Sequence, residues 1–203
     1  SASTDVIIYV DSILFINKSE NEIHKDKLLY FQALAYYISS DNTKALQKLN
    51  KIKPSKTDYS FNVNVLLAKA NSNISNQNYP LAASQILKAF EITKLHNLIS
   101  LKTKVLNSLS YVHYSIKEYD KSLYYLSESI KISLENKDSF ELSATYNNMA
   151  ILQKNIGNFE EAMDLNYKSL EIASLIKDQI GVGKSYSNIG RLYDLLGDYN
   201  KAL

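Results

Sequence analysis

Apolar residues recur along the chain at steps of three and four, the pattern of a helix with one buried face. The pattern is clearest between residues 105 and 134, where two apolar stripes follow each other with a short polar break between them. The stripes are Val105, Leu109, Val112 and Ile116, then Tyr119, Leu123, Leu126, Ile130 and Leu134. No stretch shows the alternation of apolar and polar residues that is typical of a strand. The sequence therefore predicts an all-α protein made of helix pairs.

An aromatic residue returns every 40 residues, and a small residue follows each one three positions later. The aromatic residues are Tyr79, Tyr119, Phe159 and Tyr199, and the small ones are Ala82, Ser122, Ala162 and Ala202. A fixed period of this length is typical of repeat proteins, in which each repeat buries its apolar face against its neighbours. The predicted repeats are 58–97, 98–137 and 138–177, preceded by a degenerate repeat at 25–57 and followed by an incomplete one at 178–203.

Both ends of the array are predicted to be atypical. Apolar residues at helical spacing between Val6 and Asn17 predict an N-terminal helix within residues 1–24, equivalent to half of a preceding repeat. The apolar run there is interrupted by Asp11 and is too short to span a membrane. We expect no export signal in the visible chain, and we expect the remainder of the last repeat to follow Leu203 in the native protein.

Residues that can cap a helix stand before most of the predicted helices. Asn78, Asn158 and Asp198 precede second helices of the pairs, whereas Asp138 and Asp178 precede first helices. A side-chain oxygen at such a position can accept a hydrogen bond from a free backbone N–H of the first turn. We therefore expect these five residues to mark where helices begin.

The last two repeats resemble the tetratricopeptide repeat (TPR). The matching residues are Tyr146-Asn147-Asn148-Met149-Ala150, Gly157-Asn158-Phe159 and Ala162, then Tyr186-Ser187-Asn188-Ile189-Gly190, Tyr193, Gly197-Asp198-Tyr199 and Ala202. The period of 40 is longer than the family's usual length of about 34 and resembles the long repeats of Pins-type scaffolds and bacterial peptide-sensing regulators. The resemblance implies a right-handed superhelical solenoid of antiparallel helix pairs, with the first helix of each pair lining a concave groove.

Composition excludes several classes of function. The net charge of +2 arises from 23 basic and 21 acidic residues without a basic stripe, so we expect no nucleic-acid partner. The chain has no cysteine, and its three histidines lack metal-ligand spacing, so we expect no metal, cofactor or catalytic nucleophile. The stretch Gly181–Ser185 resembles the end of a phosphate loop, but the first glycine and the preceding strand are missing. We interpret it as the start of a helix.

Ligand binding is expected on the first helices, at the positions that the TPR resemblance turns toward or near the groove. These residues are Lys104, Asn107, Tyr111, Tyr114, Asn147, Asn148, Lys154, Lys184, Asn188 and Arg191. Such amides and cations can hold an extended peptide or protein segment and favour acidic residues or a carboxylate terminus. The asparagines have a second interpretation, in which they bridge neighbouring helices and bind no ligand.

Arg191 is the only arginine in a chain that otherwise uses lysine. Its planar guanidinium suits a carboxylate in a way that an ammonium does not. The alternative is an ion pair with Asp194 or Asp198 that only ties the last turn of the helix.

Two functions are compatible with this sequence. The first is a non-catalytic module that binds a protein or peptide in a concave helical groove. The alternative is the sensory or regulatory region of a larger bacterial signalling protein, such as a transcription regulator or a histidine kinase.

Overall fold

The computed structural model describes residues 22–202, and within that range it contains helices and the turns between them without a strand. The helices are α1 (Glu22–Ile38), α2 (Asn42–Leu49), α3 (Tyr59–Ser75), α4 (Tyr79–Leu95), α5 (Ile99–Ser115), α6 (Tyr119–Glu135), α7 (Ser139–Asn155), α8 (Phe159–Leu175), α9 (Gln179–Leu195) and α10 (Tyr199–Ala202). The predicted all-α class is confirmed. The predicted helix between Val6 and Asn17 lies outside the described residues.

The chain divides into two compact units, residues 1–97 and 98–203. In the first unit α1 packs against α2, α2 against α3, and α3 against α4. In the second unit each helix from α5 to α10 packs against the next one along the chain, and α7 also contacts α5 and α9. Within each unit, consecutive helices joined by short turns therefore form antiparallel pairs.

Seven consecutive helices, α3 to α9, have the same length of 17 residues. A left-handed residue ends each of them, with φ between 52° and 93°. These residues are Gln77, Asn97, Lys117, Lys137, Gly157, Lys177 and Gly197. Such a residue lets the last carbonyls of a helix accept hydrogen bonds from the turn, and glycine adopts it without a Cβ penalty. Equal helices and equal turns together produce the period of 40 residues.

Aspartates cap the first helices α3, α7 and α9, as predicted for Asp138 and Asp178. Asp138 accepts a hydrogen bond from the Glu141 N–H at 3.1 Å, and Asp178 accepts one from the Ile180 N–H at 3.1 Å. Asn78 and Asn158 occupy the N-cap positions of α4 and α8, as predicted, but their side chains make no cap bond. The Asn158 amide instead donates to Gln153 Oε1 at 2.9 Å. A carboxylate can only accept, whereas an amide can also turn its NH2 group toward another acceptor.

Helix α2 is shorter than the second helices α4, α6 and α8, because it has only 8 residues where they have 17. The apolar pattern predicts that it continues to Ile52, but the helix ends at Leu49 and Ile52 is buried in the turn that follows. Pro54 disfavours the helical conformation at Lys53, which accounts for an end near this point. The degenerate first repeat therefore lacks about half of its second helix.

Small and apolar side chains fill the space between the helices of each unit. In the second unit Leu126, Met149, Ala150, Leu152 and Leu165 form one buried cluster. The landmark residue Tyr119 packs against this cluster from its edge. No helix among residues 22–202 is long and apolar enough to cross a lipid bilayer.

Candidate functional site

The first helices of the second unit share a face that holds many of the predicted site residues. Positions on one helix face recur at i, i+4 and i+7, and the period of 40 repeats them on each first helix. The resulting first-helix face consists of Lys104, Ser108 and Tyr111 on α5, Ala144, Asn148 and Ile151 on α7, and Lys184, Asn188 and Arg191 on α9. Because α7 contacts both α5 and α9, these three rows lie side by side.

A cavity of about 90 Å³ opens on this face between α5 and α7. Four of the predicted site residues line it, namely Asn107, Tyr111, Tyr114 and Asn148. The rings of Tyr111 and Tyr114 lie 6.2 Å apart, and the Tyr111 side chain is 54% exposed. The volume is about that of three water molecules, at about 30 Å³ each, so the cavity can hold one small side chain.

Tyr114 keeps its hydroxyl proton at the wall of this cavity. Burial raises the pKa of Tyr114, and the nearby Tyr119 and Tyr111 act in the same direction. The hydroxyl accepts a hydrogen bond from the Asn155 amide at 2.7 Å. Its own proton is therefore available for a ligand oxygen.

Three of the predicted asparagines connect neighbouring first helices. The Asn107 amide donates to Thr145 Oγ1 at 3.0 Å, and the Asn147 amide donates to Ser185 Oγ at 3.3 Å. The Asn188 amide donates to Asn147 Oδ1 at 2.8 Å. For these three residues the geometry is that of the second interpretation, in which the asparagines bridge helices.

Two of these bridges belong to a buried network that occurs twice, 40 residues apart. Ser129 Oγ lies 3.0 Å from Thr145 Oγ1, and Ser169 Oγ accepts from Ser185 Oγ at 3.0 Å. The first junction network is Asn107, Ser129 and Thr145, and the second is Asn147, Ser169 and Ser185. The four hydroxyl residues are not among the predicted site residues. Their signal in the sequence is a polar residue that recurs at a fixed position inside an apolar stripe.

Lys104 has a partner inside the protein. Its Nζ lies 3.7 Å from Glu141 Oε1, and the Glu141 side chain is almost fully buried. Burial raises the pKa of Glu141, while the nearby Lys104 lowers it and Asp138 raises it further. The charge of Lys104 is thus partly neutralised before any ligand arrives.

The Glu141 carboxyl should make stability depend on pH. Its pKa is raised above the ordinary value of 4.5, so the folded protein binds this proton more tightly than the unfolded chain does. Its contribution to stability is complete below pH 4.5 and is lost as the pH rises through the raised pKa. We expect Glu141→Gln to remove this loss, which urea unfolding of both proteins between pH 4 and 8 would measure. Lys104→Met should make the loss of stability with rising pH larger, because Lys104 lowers the pKa of Glu141. If the stability of wild type and Glu141→Gln depends on pH in the same way, Glu141 is not the cause.

The remaining predicted residues have no internal partner among residues 22–202. Asn148, Lys184 and Arg191 are exposed and Lys154 is half-buried, and none of their side chains forms a hydrogen bond or ion pair with a described residue. The alternative ion pair of Arg191 with Asp194 or Asp198 is not formed. Asp198 instead pairs with Lys201 at 2.9 Å.

No group of three or more histidine, aspartate or glutamate residues in the described part of the chain is placed to hold a metal ion. The stretch Gly181–Ser185 lies inside α9, as interpreted from the sequence. A Cβ at Gly181 would lie 3.0 Å from the Cβ of Ala173 on α8 and closer still to the Asp178 carboxylate. This glycine therefore allows close helix packing, which explains it without a phosphate.

The sequence profile of the tetratricopeptide repeat family matches residues 141–203, which include α8, most of α7 and all of α9. Residues 141–203 are therefore similar to tetratricopeptide repeats. No curated protein sequence matches the chain. The matched region contains the second junction network and the three cations Lys154, Lys184 and Arg191.

Several solved structures share the TPR fold of this chain. A Rap protein complexed with Competence and Sporulation Factor has a TM-score of 0.81 at 13% identity, covering 95% of this chain and 55% of that one. The Rap conjugation gene regulator of plasmid pLS20, in complex with the Phr* peptide, has a TM-score of 0.76 at 13% identity, covering 87% and 50%.

A third similar structure is the signal transduction ATPase with numerous domains from Pyrococcus horikoshii, which has a tetratricopeptide repeat sensor. Its TM-score is 0.71 at 18% identity, covering 90% of this chain and 30% of that one. At these identities the similarity shows the fold alone, a TPR-like helical solenoid. This chain spans about half the length of the two Rap chains and under a third of the ATPase.

Proposed function

We propose that the first-helix face of the second unit is a non-catalytic binding site for an extended peptide or an extended segment of a partner protein. The observation that carries this proposal is that Asn148, Lys184 and Arg191 lie exposed on one face beside the tyrosine-lined cavity, without a hydrogen bond or ion pair to another described side chain. Donors held by rigid helices, with no bond of their own to break, are preorganised for a ligand.

The chemistry of the face favours a particular kind of peptide. The cations Lys184 and Arg191 on α9, with Lys154 at the end of α7, suit an acidic residue or a carboxylate terminus. Lys104 on α5 is already paired with Glu141. The cavity between α5 and α7 suits one small apolar or hydroxyl-bearing side chain. The peptide would therefore have an acidic end over α9 and a small side chain toward α5.

Helix spacing sets the length of this peptide. Packed helices lie about 8–10 Å apart, so the path from α5 across α7 to α9 is about 16–20 Å long. An extended chain covers about 3.3 Å per residue, so about six residues span the face. Two of the similar structures, the Rap proteins, are described with a bound factor or peptide, which supports this use of the fold.

A hexapeptide array with free C-termini and random sequence would test the proposal directly. Wild-type protein should select peptides that are acidic at one end and carry a small residue toward the other. Lys184→Glu should abolish the selection by reversing the charge on the face. Lys131→Glu on α6 makes the same charge change at an exposed position of a second helix and should leave the selection intact. A selection that survives Lys184→Glu would contradict the proposal.

Arg191→Lys should weaken binding of the selected acidic peptide about tenfold, the effect of losing roughly 1.4 kcal/mol when one of two parallel hydrogen bonds disappears. Arg191 forms no ion pair with a described residue, so its exposed side chain should contribute little to folding. Titration calorimetry and thermal unfolding of the same variant measure both quantities. Unaltered affinity would remove Arg191 from the site.

The regulatory alternative is also a proposal, and it is favoured by the kind of proteins that share the fold. Their descriptions include a conjugation gene regulator and a TPR sensor of a signal transduction ATPase. Under this alternative, the peptide-binding face is the sensor for an effector domain encoded in the same reading frame. The test is to express the whole reading frame and ask whether the selected peptide changes the activity of a DNA-binding or kinase domain. A reading frame that encodes TPR repeats alone would rule the alternative out.

A further inference from the structure

The first unit contains a second groove, with a volume of about 950 Å³. It lies between the turn at residues 52–54, helix α3 and helix α4. Apolar residues form most of its walls, including Val65 and Leu66 on α3 and Leu87 and Ile92 on α4. Leu87 is 50% exposed, so this apolar surface is open to solvent.

The short helix α2 explains why the groove exists. In the second unit, the equivalent second helix α6 has 17 residues, and Ile130 in its C-terminal half packs on the cluster that contains Met149. Aligned on the landmark position, α2 ends at Leu49, which corresponds to Leu126 of α6. Helix α2 has 8 residues, so nine residues of helix are missing after it (17 − 8 = 9). Nine helical residues are about 13 Å long at about 1.5 Å per residue. The groove therefore lies where a second helix would continue in a full repeat.

A lysine stands in the wall of the groove where the second unit has a methionine. Lys69 is equivalent to Leu109 one period of 40 later, to Met149 two periods later and to Ile189 three periods later. Its side chain is half-buried and forms no ion pair with a described residue, and burial lowers its pKa. The carboxylate of Glu91 at the same groove is bound to Lys94 at 3.6 Å. The groove thus combines an apolar surface with a cation, Lys69, that has no anionic partner among residues 22–202.

We propose that this groove binds an amphipathic helix of a partner protein, about two to three turns long, with an acidic residue that pairs with Lys69. The missing half of α2 accounts for the helical shape of the occupant. The apolar walls account for its apolar face, and Lys69 accounts for its carboxylate. A partially buried ammonium becomes fully paired when this helix docks, so the acidic residue adds both affinity and orientation.

A peptide taken from the chain itself is a suitable probe. Residues 123–135, LYYLSESIKISLE, form most of the complete second helix α6 and carry the apolar stripe with Glu128 and Glu135. A fluorescein-labelled copy should bind the full 203-residue protein in an anisotropy titration. The same peptide with glutamine at both glutamate positions should bind about tenfold more weakly, because it lacks the charge-assisted bond.

Two variants of the protein locate the binding. Leu87→Lys should abolish binding of the glutamate peptide, whereas Leu175→Lys, an exposed leucine on α8 in the other unit, should leave it unchanged. Lys69→Met restores the residue found at Met149 and should make the glutamate and glutamine peptides bind equally. Arg191→Lys should have no effect, so failure here is distinct from failure of the first-helix face. Circular dichroism checks that each variant is folded.

Several outcomes would overturn the proposal. Binding that survives Leu87→Lys would exclude the groove, and equal binding of both peptides to wild type would exclude the role of Lys69. Tighter binding after removal of residues 1–21 would assign the groove to the chain's own N-terminal segment. Dimers in sedimentation velocity that Leu87→Lys dissociates would assign it to a second copy of the chain.

Discussion

Replacing Ala162 with leucine should lower the free energy of unfolding by about 1–3 kcal/mol. Ala162 is completely buried on α8. One repeat earlier, the equivalent Ser122 Oγ lies only 2.8 Å from Ser110 Oγ on the facing helix, so the two helices of a pair approach closely at this position. Ala150, which is also completely buried, is the equivalent of Ser110 in the later repeat. Three added carbons have no space there and must push the helices apart.

Chemical denaturation measures this loss, and the same helix supplies a control. Ser174 is exposed on α8, so Ser174→Leu adds apolar carbons on the solvent side. It should change the free energy of unfolding by less than about 0.5 kcal/mol. Equal unfolding midpoints for Ala162→Leu and wild type would show that the helix crossing is looser than described.

Thr145→Val should cost about 1–3 kcal/mol of stability although it preserves the shape of the side chain. Thr145 is completely buried at the centre of the first junction network, where it bonds to Asn107 and Ser129. Valine removes the hydroxyl and leaves Ser129 buried with only a long contact of 3.5 Å to the Thr103 carbonyl oxygen. The penalty arises from desolvated groups that lose their partner. Thermal and urea unfolding of the variant measure it.

A triple variant separates lost bonds from lost packing. Asn107→Leu, Ser129→Ala and Thr145→Val together remove every member of the network, so none of its own amides or hydroxyls is left unpaired. Replacing all partners by apolar groups of similar shape can be nearly neutral, and most of the stability should return. The chain has the same apolar set one period earlier, at Leu67, Ala89 and Val105. A triple variant less stable than Thr145→Val would mean that the network has a further role in packing.

Much of the fold could be predicted because its main determinants are local and periodic. The stripe from Tyr119 to Leu134 has the spacing of one helix face, and α6 occupies this stretch. The small side chain of Ala162 predicts a close contact between helices, and this residue is completely buried. Asp138 and Asp178 mark helix starts because a carboxylate next to free N–H groups has no competing role as a donor.

The candidate site was harder to predict because its residues act through partners that are distant in sequence. Whether Asn107 faces a ligand or a neighbouring helix depends on Thr145, which lies 38 residues away. The charge of Lys104 depends on Glu141, a carboxylate that sequence alone does not mark as buried. The early end of α2 depends on the competition between Pro54 and an apolar pattern that continues to Ile52. Each outcome is decided by packing between elements, where local spacing carries little information.

The two junction networks have a consequence for how this chain can change in length. Helix α7 takes part in both junction networks. Its Thr145 accepts a hydrogen bond from Asn107 on α5, and its Asn147 donates one to Ser185 on α9. A duplicated copy of one 40-residue segment would carry the same network residues. It could therefore form the same hydrogen bonds with the repeats on either side. Gain or loss of a whole repeat in the second unit therefore needs no newly evolved interface. Unequal recombination between such segments would lengthen or shorten the binding face in steps of one helix pair.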